Sequence, residues 1–302
     1  MFVLVLNQNN IVPDGYNNKL RYKFPNSVNL KDKYIAVSSV SMFYSWDNIT
    51  ALQSNNKITY TWTVGTTSST YTITIPDGLY EISEINFYCQ FVMINNGTYW
   101  IASTGDYLYP FEILVNPTRY AIQLNTYLIP ILPLTGGITV PSNWAGYATQ
   151  TYNSTITFPA NFNAIVGYPS TFSSNPNVNN AGVAVYSNNY ETKNSLGTFS
   201  YLSNTSPQVQ PNNNVLISLS NINNPYSQPS SIIYSLNPSV AAGQQISERP
   251  PNFMWNKMID GTYNELFLTF LGTNLQPLII KDPNMTILLT IRDKDEGFLT
   301  SK

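Results

Sequence analysis

Few side chains in this sequence could do acid, base, nucleophilic or electrostatic chemistry. They are a lone thiol at Cys89, the carboxylate pairs Glu81/Glu84 and Asp260/Glu265, and an acidic tail, Asp293-Lys294-Asp295-Glu296-Gly297. The last group is five cations, Lys19, Arg21, Lys23, Lys31 and Lys33, within fifteen positions. No histidine occurs in the 302 residues, so the imidazole base of Ser-His-Asp and Cys-His catalysis is missing, along with the commonest metal ligand. Cys89 falls on the apolar stripe of a helical pattern and has no activating partner, which reads as a buried structural thiol. A two-carboxylate hydrolase would need its acids to share a cleft. Glu81 and Glu84 instead lie near a helix start, where the macrodipole favours them, and Asp260 and Glu265 read as surface acids. The acidic tail imitates the opening of an EF-hand loop, but the twelfth-position ligand would fall beyond the last residue, so a solvated strand end is expected. Gly136-Gly137 reads as a turn, not a phosphate cradle. No catalytic, cofactor-binding or metal-ligating residue is expected, and no cofactor.

The cations are the remaining candidates. Lys19-Leu20-Arg21-Tyr22-Lys23-Phe24 alternates strictly, so as a strand it puts three cations on one face and Leu20, Tyr22 and Phe24 on the other. The plain reading is a solvated strand face. The functional reading is a contact face, formed by Lys19, Arg21, Lys23, Lys31 and Lys33, towards nucleic acid or an acidic neighbour. A formal net charge of −2 argues against a protein whose main work is gripping duplex nucleic acid, and leaves room only for weak contact with it.

The elements that must carry these residues are strands. The chain is 10% charged yet 43% hydrophobic and 14% aromatic, enough to bury a core. Between Arg119 and Glu191 there is no charged residue at all. Short runs rich in Val, Ile, Thr, Tyr and Phe, broken by Asn, Gly, Pro and Ser, predict an all-β sandwich. Strands are expected at 1–6, 19–24, 34–44, 215–219, 232–236, 244–248, 266–271 and 285–292, with hairpins at 57–75 around a 65–69 loop and at 108–126 around Asn116-Pro117-Thr118. The near-continuous run Glu265–Leu271 suits a strand buried on both faces. Ile82, Ile85, Cys89 and Val92 mark one short amphipathic helix at about 82–94, ended by Asn95-Asn96-Gly97. The expected division is 1–127, then a loop-rich outward excursion or insertion over 128–205, then 206–302, with strands from both ends closing one core. A single cysteine allows no intrachain disulfide and suits assembly in a reducing compartment. The most apolar later stretch, Tyr127–Leu134, is broken by Pro130 and Pro133, so no membrane span is expected. Five N-x-S/T triplets, at Asn48, Asn96, Asn153, Asn204 and Asn284, read as chance in so asparagine-rich a chain.

Several pieces fall in a telling order. Ile35-Ala36-Val37-Ser38-Ser39-Val40-Ser41-Met42-Phe43-Tyr44-Ser45-Trp46-Asp47-Asn48-Ile49 is the most specific. It is succeeded by Asp77-Gly78-Leu79-Tyr80, Phe158-Pro159, Gly167-Tyr168 and Asn223-Asn224-Pro225-Tyr226 with Ile233-Tyr234-Ser235. Pro250-Pro251, Trp255, Pro277-Leu278 and Asp282-Pro283 close the series. At both chain ends this resembles the penton, or small capsid, proteins of virophages and the related Polinton elements, the mavirus type in particular. The resemblance implies a single jelly-roll β-sandwich, five copies of which close a capsid vertex between trimers of a double-jelly-roll major capsid protein. It further implies a structural, non-enzymatic protein located in the virion. Trp46 is expected to anchor the turn after its strand by core packing. The competing expectation is a jelly-roll module that binds a host receptor or glycan at its outer face through the Tyr/Trp/Asn-rich loops between 141 and 190.

Overall fold

Period-two alternation organises this chain almost from end to end, and the computed structural model describes residues 1–150, 152–159, 161–170, 172–174, 182–188, 198–209 and 214–294. Strands β1 (Phe2–Leu6), β2 (Lys19–Asn29) and β3 (Lys33–Phe43) come first, then β4 (Lys57–Val64) and β5 (Thr67–Thr74). Helix α1 (Ile82–Asn95) precedes β6 (Trp100–Ile101), β7 (Tyr107–Leu108), β8 (Phe111–Asn116) and β9 (Ala121–Ile129). Next are β10 (Tyr152–Asn153), β11 (Ile156–Thr157), the short helix α2 (Phe162–Val166), β12 (Ala184–Asn188) and β13 (Thr198–Leu202). The chain ends with β14 (Val215–Leu219), β15 (Ile232–Leu236), β16 (Gln245–Glu248), β17 (Asn256–Lys257), β18 (Thr262–Leu271) and β19 (Thr286–Asp293). The fold is all-β and its strand pairs are antiparallel.

Two compact bodies result, Met1–Asp47 with Asn212–Lys302, and Asn48–Pro211. This differs from the division at 127/128 and 205/206 read from the sequence. Strands β4 to β13 pair only among themselves, so residues 57–127 belong with strands β10 to β13 and not with β1 to β3. The described strands within 128–205, β10 to β13 and the end of β9, therefore pair within the second body.

In the first body one sheet runs β1-β19-β3-β16, with β17 also on β3, and the other runs β15-β14-β18-β2. Counted along the chain without the short β17, these are strands first-eighth-third-sixth and fifth-fourth-seventh-second, the strand order of a jelly roll. Each strand turns alternate residues inward. Leu4, Leu6, Ile35, Val40, Ile287 and Leu289 from one sheet meet Leu20, Phe24, Ile217, Leu266, Leu268 and Phe270 from the other in one core. Strand β18 buries Leu266, Leu268 and Phe270 but leaves Glu265, Phe267 and Thr269 part-exposed. The expectation of burial on both faces is thus corrected, because no second layer covers the outer side of that sheet completely.

In the second body β9 is central, paired with β8, β13 and, at its end, β10, while β11-β4-β5 form a second sheet. Helix α1 spans Ile82–Asn95 and buries Ile82, Ile85, Cys89 and Met93, with Val92 packed at the margin. Gly97 ends it at φ +67, where a Cβ would lie 1.8 Å from the Asn143 carbonyl oxygen, so only glycine fits this close approach. The core holds an aromatic nest of Phe158, Phe162, Tyr168, Phe172 and Tyr201. Tyr168 Oη donates to the carbonyl oxygen of Tyr201 at 2.7 Å and accepts the Leu124 N–H at 3.1 Å, tying β9 and β13 together from inside. Burial pushes the Tyr168 phenol far above the usual tyrosine range, so it stays a neutral donor.

Candidate functional site

The residues with chemical potential are spread out, and most are explained by folding. Cys89 is fully buried, and burial pushes its thiol well above the ordinary range, as suits a structural residue. Glu84 accepts the Glu81 N–H at 2.7 Å, half of a capping arrangement at the start of α1. Asp260 accepts the Asp32 N–H at 3.0 Å and lies 3.5 Å from Lys257 Nζ. That backbone bond first, and Lys257 next, hold its carboxyl below the usual aspartate range. Glu265 stands on the outer face of β18 opposite Lys23, in different surroundings from Asp260. Asp293 pairs with Lys33, which lowers its pKa, while the remainder of the acidic tail, 295–297, lies outside the described residues. Among the described residues no group of three or more Cys, Asp or Glu side chains is placed to hold a metal, and no helix is long and apolar enough to cross a membrane.

The five cations do not form one patch. Strand β2 places Lys19, Arg21 and Lys23 outward opposite Thr269, Phe267 and Glu265 of β18, with Leu20 and Phe24 buried and Tyr22 half-buried. Lys19 Nζ sits 5.0 Å from the Phe267 ring centroid, a cation–π contact. Lys31 lies in the turn between β2 and β3, and Lys33 begins β3 on the opposite sheet. The candidate contact face is therefore three residues, Lys19, Arg21 and Lys23. Beside it an open concavity of about 590 Å³ is lined by Lys23, Ser220, Asn221, Tyr263, Glu265 and Phe267, among others.

Within the most specific sequence piece, Ile35 to Ile49, the stretch Tyr44 to Asp47 does structural work. Trp46 is 2% exposed and stacks on Tyr44 with centroids 4.2 Å apart. Its turn is fastened to the Lys281–Asn284 segment. Asp282 accepts the N–H groups of Phe43 at 2.7 Å and Asn284 at 2.8 Å, Ser45 Oγ accepts the Asp282 N–H at 2.9 Å, and Lys281 Nζ reaches buried Asp47 at 2.7 Å. Two of the pieces that carry the resemblance, the first through Phe43 to Asp47 and the second at Asp282-Pro283, thus meet in space.

Asn48 opens the second body and is buried. Its Nδ2 donates to the carbonyl oxygens of Tyr80 at 2.7 Å and Val209 at 2.6 Å, and its Oδ1 accepts the Tyr80 N–H at 2.9 Å. One amide thereby binds the entry of that body to its exit. Sequence reasoning gave Asn48 no such role, since a residue bonded to partners 32 and 161 positions away leaves no local signal. It also missed the outward half of β1. In Phe-Val-Leu-Val-Leu both faces are apolar, so the alternation that buries Leu4 and Leu6 and exposes Val3 and Val5 cannot be read.

No protein-family model matches the chain, and no curated protein matches it. Two solved structures are similar to it over nearly its whole length. The mavirus penton protein is 8% identical, with 96% of this chain and 97% of that one covered at a TM-score of 0.40. The Sputnik virophage structure from cryo-electron microscopy is 12% identical, with 97% and 98% covered at a TM-score of 0.37. Correspondences this loose carry no weight by themselves, and the jelly-roll assignment stands on the strand pairing.

Proposed function

We propose that this protein is a structural subunit of a virion, with no catalytic site and no cofactor. Five copies form a ring that closes the fivefold vertices of an icosahedral capsid, between trimers of a double-jelly-roll major capsid protein. The observation that carries this reading is the strand order of the first body. The ordered sequence pieces imply a jelly roll, and residues 1–47 and 212–302 are wound as one. Jelly rolls also serve lectins and cupins, so fold by itself does not choose a function. What favours a shell role is the surface chemistry. A ring of identical subunits needs a heterologous side-to-side contact, and a surface poor in charge forms one without stranding desolvated ions. The protein would assemble inside the host cell in a reducing compartment, where its single thiol stays reduced. The outward cations of β2 are suited to weak contact with the packaged genome, and the outer end of the ring to a host receptor.

Mass measurement on the purified protein tests the ring. A discrete species of five chains supports it, as does particle density confined to vertices. A protein that stays single under every assembly condition and is absent from the vertices refutes it. Reversal of the three β2 cations, Lys19→Glu, Arg21→Glu and Lys23→Glu, is expected to lower packaged genome content and leave ring formation intact. Unchanged genome content would remove the nucleic-acid role from this face. The second reading, a glycan-binding module, rests on the concavity beside Lys23, where Tyr263 and Phe267 stand among polar side chains. A monomer or trimer that binds glycan, with binding lost in Phe267→Ala, would put that reading first.

A further inference from the structure

The first body has four sheet edges, and three of them are guarded. An open strand edge presents unpaired N–H and C=O groups to any passing chain, and proteins blunt such edges with charge, proline or covering segments. On β2 the outward residues are Lys19, Arg21 and Lys23, Pro25 interrupts the ladder, and the preceding segment covers the backbone. There the Val12 N–H donates to the Lys19 carbonyl oxygen at 2.8 Å and Asn10 Nδ2 to that of Arg21 at 3.1 Å. On β15 the carbonyl oxygens of Ile232 and Ile233 are met by Asn224 Nδ2 at 3.2 Å and Asn256 Nδ2 at 3.4 Å, between Pro229 and Pro238. Strand β16 ends on Glu248, which accepts from Tyr234 Oη at 2.8 Å, and runs into Pro250-Pro251.

Among the described residues strand β1 has none of these devices. It holds no charge and no proline, pairs with β19 on one side, and has no described strand on the other. Its outward side chains, Val3 and Val5, are apolar and 54% and 47% exposed, and Phe2, on the side of Leu4 and Leu6, is 38% exposed at the start of the strand. The neighbouring outer surface of the same sheet continues without charge in Leu288, Ser39, Ser41, Ser247 and the 43%-exposed Phe43, while Arg292 and Lys257 stand at its other end. The β2 face thus carries three cations along one strand, whereas on this face Arg292 and Lys257 stand at one end, around Tyr34, and the stretch from Val5 through Leu288 and Ser41 to Phe43 and Ser247 carries no charge.

We infer that the β1 edge, with the uncharged part of the sheet face beside it, is a surface by which one copy of this chain meets the next. This rests on the ring proposed above and names one of the two sides of the subunit that build it. The occupant is a second copy, which meets this edge with a different part of its own surface, because an uncharged apolar patch can pack against so charge-poor a chain without burying unpaired ions. Nucleic acid would select the opposite, cationic face. The exposed parts of Phe2, Val3, Val5 and Phe43 amount to on the order of 300 Å² of apolar surface. That is a sufficient centre for a contact of about 800 Å² per partner, with the serine-rich face as its rim.

The double variant Val3→Lys/Val5→Lys tests this, since both positions are solvent-facing and the inward Leu4 and Leu6 are kept. The expected result is an unchanged circular dichroism spectrum and melting temperature, with ring formation weakened at least a hundredfold in concentration. The cation-reversed β2 variant keeps its rings. In the unaltered chain, main-chain amides of Phe2–Leu6 should exchange with solvent at least tenfold more slowly in the ring than in the diluted single subunit. Rings of normal stability in the double variant, or equal exchange in the two states, would overturn the assignment of this edge while leaving the ring itself standing. Failure of the unaltered chain to form rings would instead bring down the ring, and this edge assignment with it.

Discussion

Replacing Asn48 is expected to loosen the second body selectively. Asn48→Ala removes the two bonds from Nδ2, to Tyr80 and Val209, and the one to Oδ1 from the Tyr80 N–H. A net 0.5–1.5 kcal/mol for each, with a buried N–H left unmatched, gives a loss of about 2–4 kcal/mol. Domain stability is about 5–15 kcal/mol, so this is a large fraction of it. Asn48→Asp isolates the donor's share. Its shape is nearly unchanged, but a carboxylate oxygen then faces two carbonyl oxygens where Nδ2 stood 2.6 and 2.7 Å away. Such a carboxyl has its folded pKa raised above the unfolded value near 4, so the variant's stability is fullest below that value and falls as pH rises through the folded pKa. Urea unfolding with hydrogen exchange read by mass spectrometry is the assay. Faster exchange should be confined to β4, β5, β8, β9 and α1, while β3, β18 and β19 keep their protection. A change below about 0.5 kcal/mol in Asn48→Ala, or equal loosening of both bodies, would refute the claim that this amide fastens entry to exit.

Two further outcomes are expected. Trp46→Ala should cost roughly 3–5 kcal/mol, as large core truncations do. Trp46→Phe should cost less, because the indole Nε1 has no hydrogen-bond partner among the described residues; denaturant midpoints on both variants check this, and a loss below about 1 kcal/mol for alanine would mark the ring as peripheral. Alkali should unfold the protein in a tyrosine-linked transition. Burial pushes Tyr201 up to about 12, and burial with the Glu248 carboxylate does the same for Tyr234. Stability from these raised phenols is fully present below the ordinary value near 10 and is lost as pH rises from there through about 12. Absorbance at 295 nm and circular dichroism should therefore change together across that window, and phenolate formation complete near pH 10 with the fold intact would contradict the burial argument.

Strand alternation was readable wherever one face is polar. Lys19 to Phe24 announced which side of β2 is core, and the spacing of Ile82, Ile85 and Cys89 announced α1 to within a residue. Composition already set the fold class, because a chain with so few charges and so many β-branched and aromatic residues buries its apolar groups best in sheets. The absence of histidine, likewise, removes imidazole chemistry whatever the fold.

Pairing between distant strands has no such local signature. The boundary after Asp47, against one expected after 127, depended on β4 pairing with β11 and β9 with β13, partners chosen by mutual burial across tens of residues. The cationic cluster came apart for a similar reason, since the turn at Lys31 sends Lys33 to the opposite sheet and onto Asp293. An apolar strand such as β1 looks the same in sequence whether it lies inside a sheet or on its edge. The amino-acid order alone determined that this chain would make half-buried strands and the helix at Ile82–Asn95 and lack histidine chemistry, while the five-residue helix α2 is too short to show a period in it. The tertiary structure decided which strands are neighbours, which edge lies open, and which asparagine closes a body, because those depend on contacts between residues that only folding brings together.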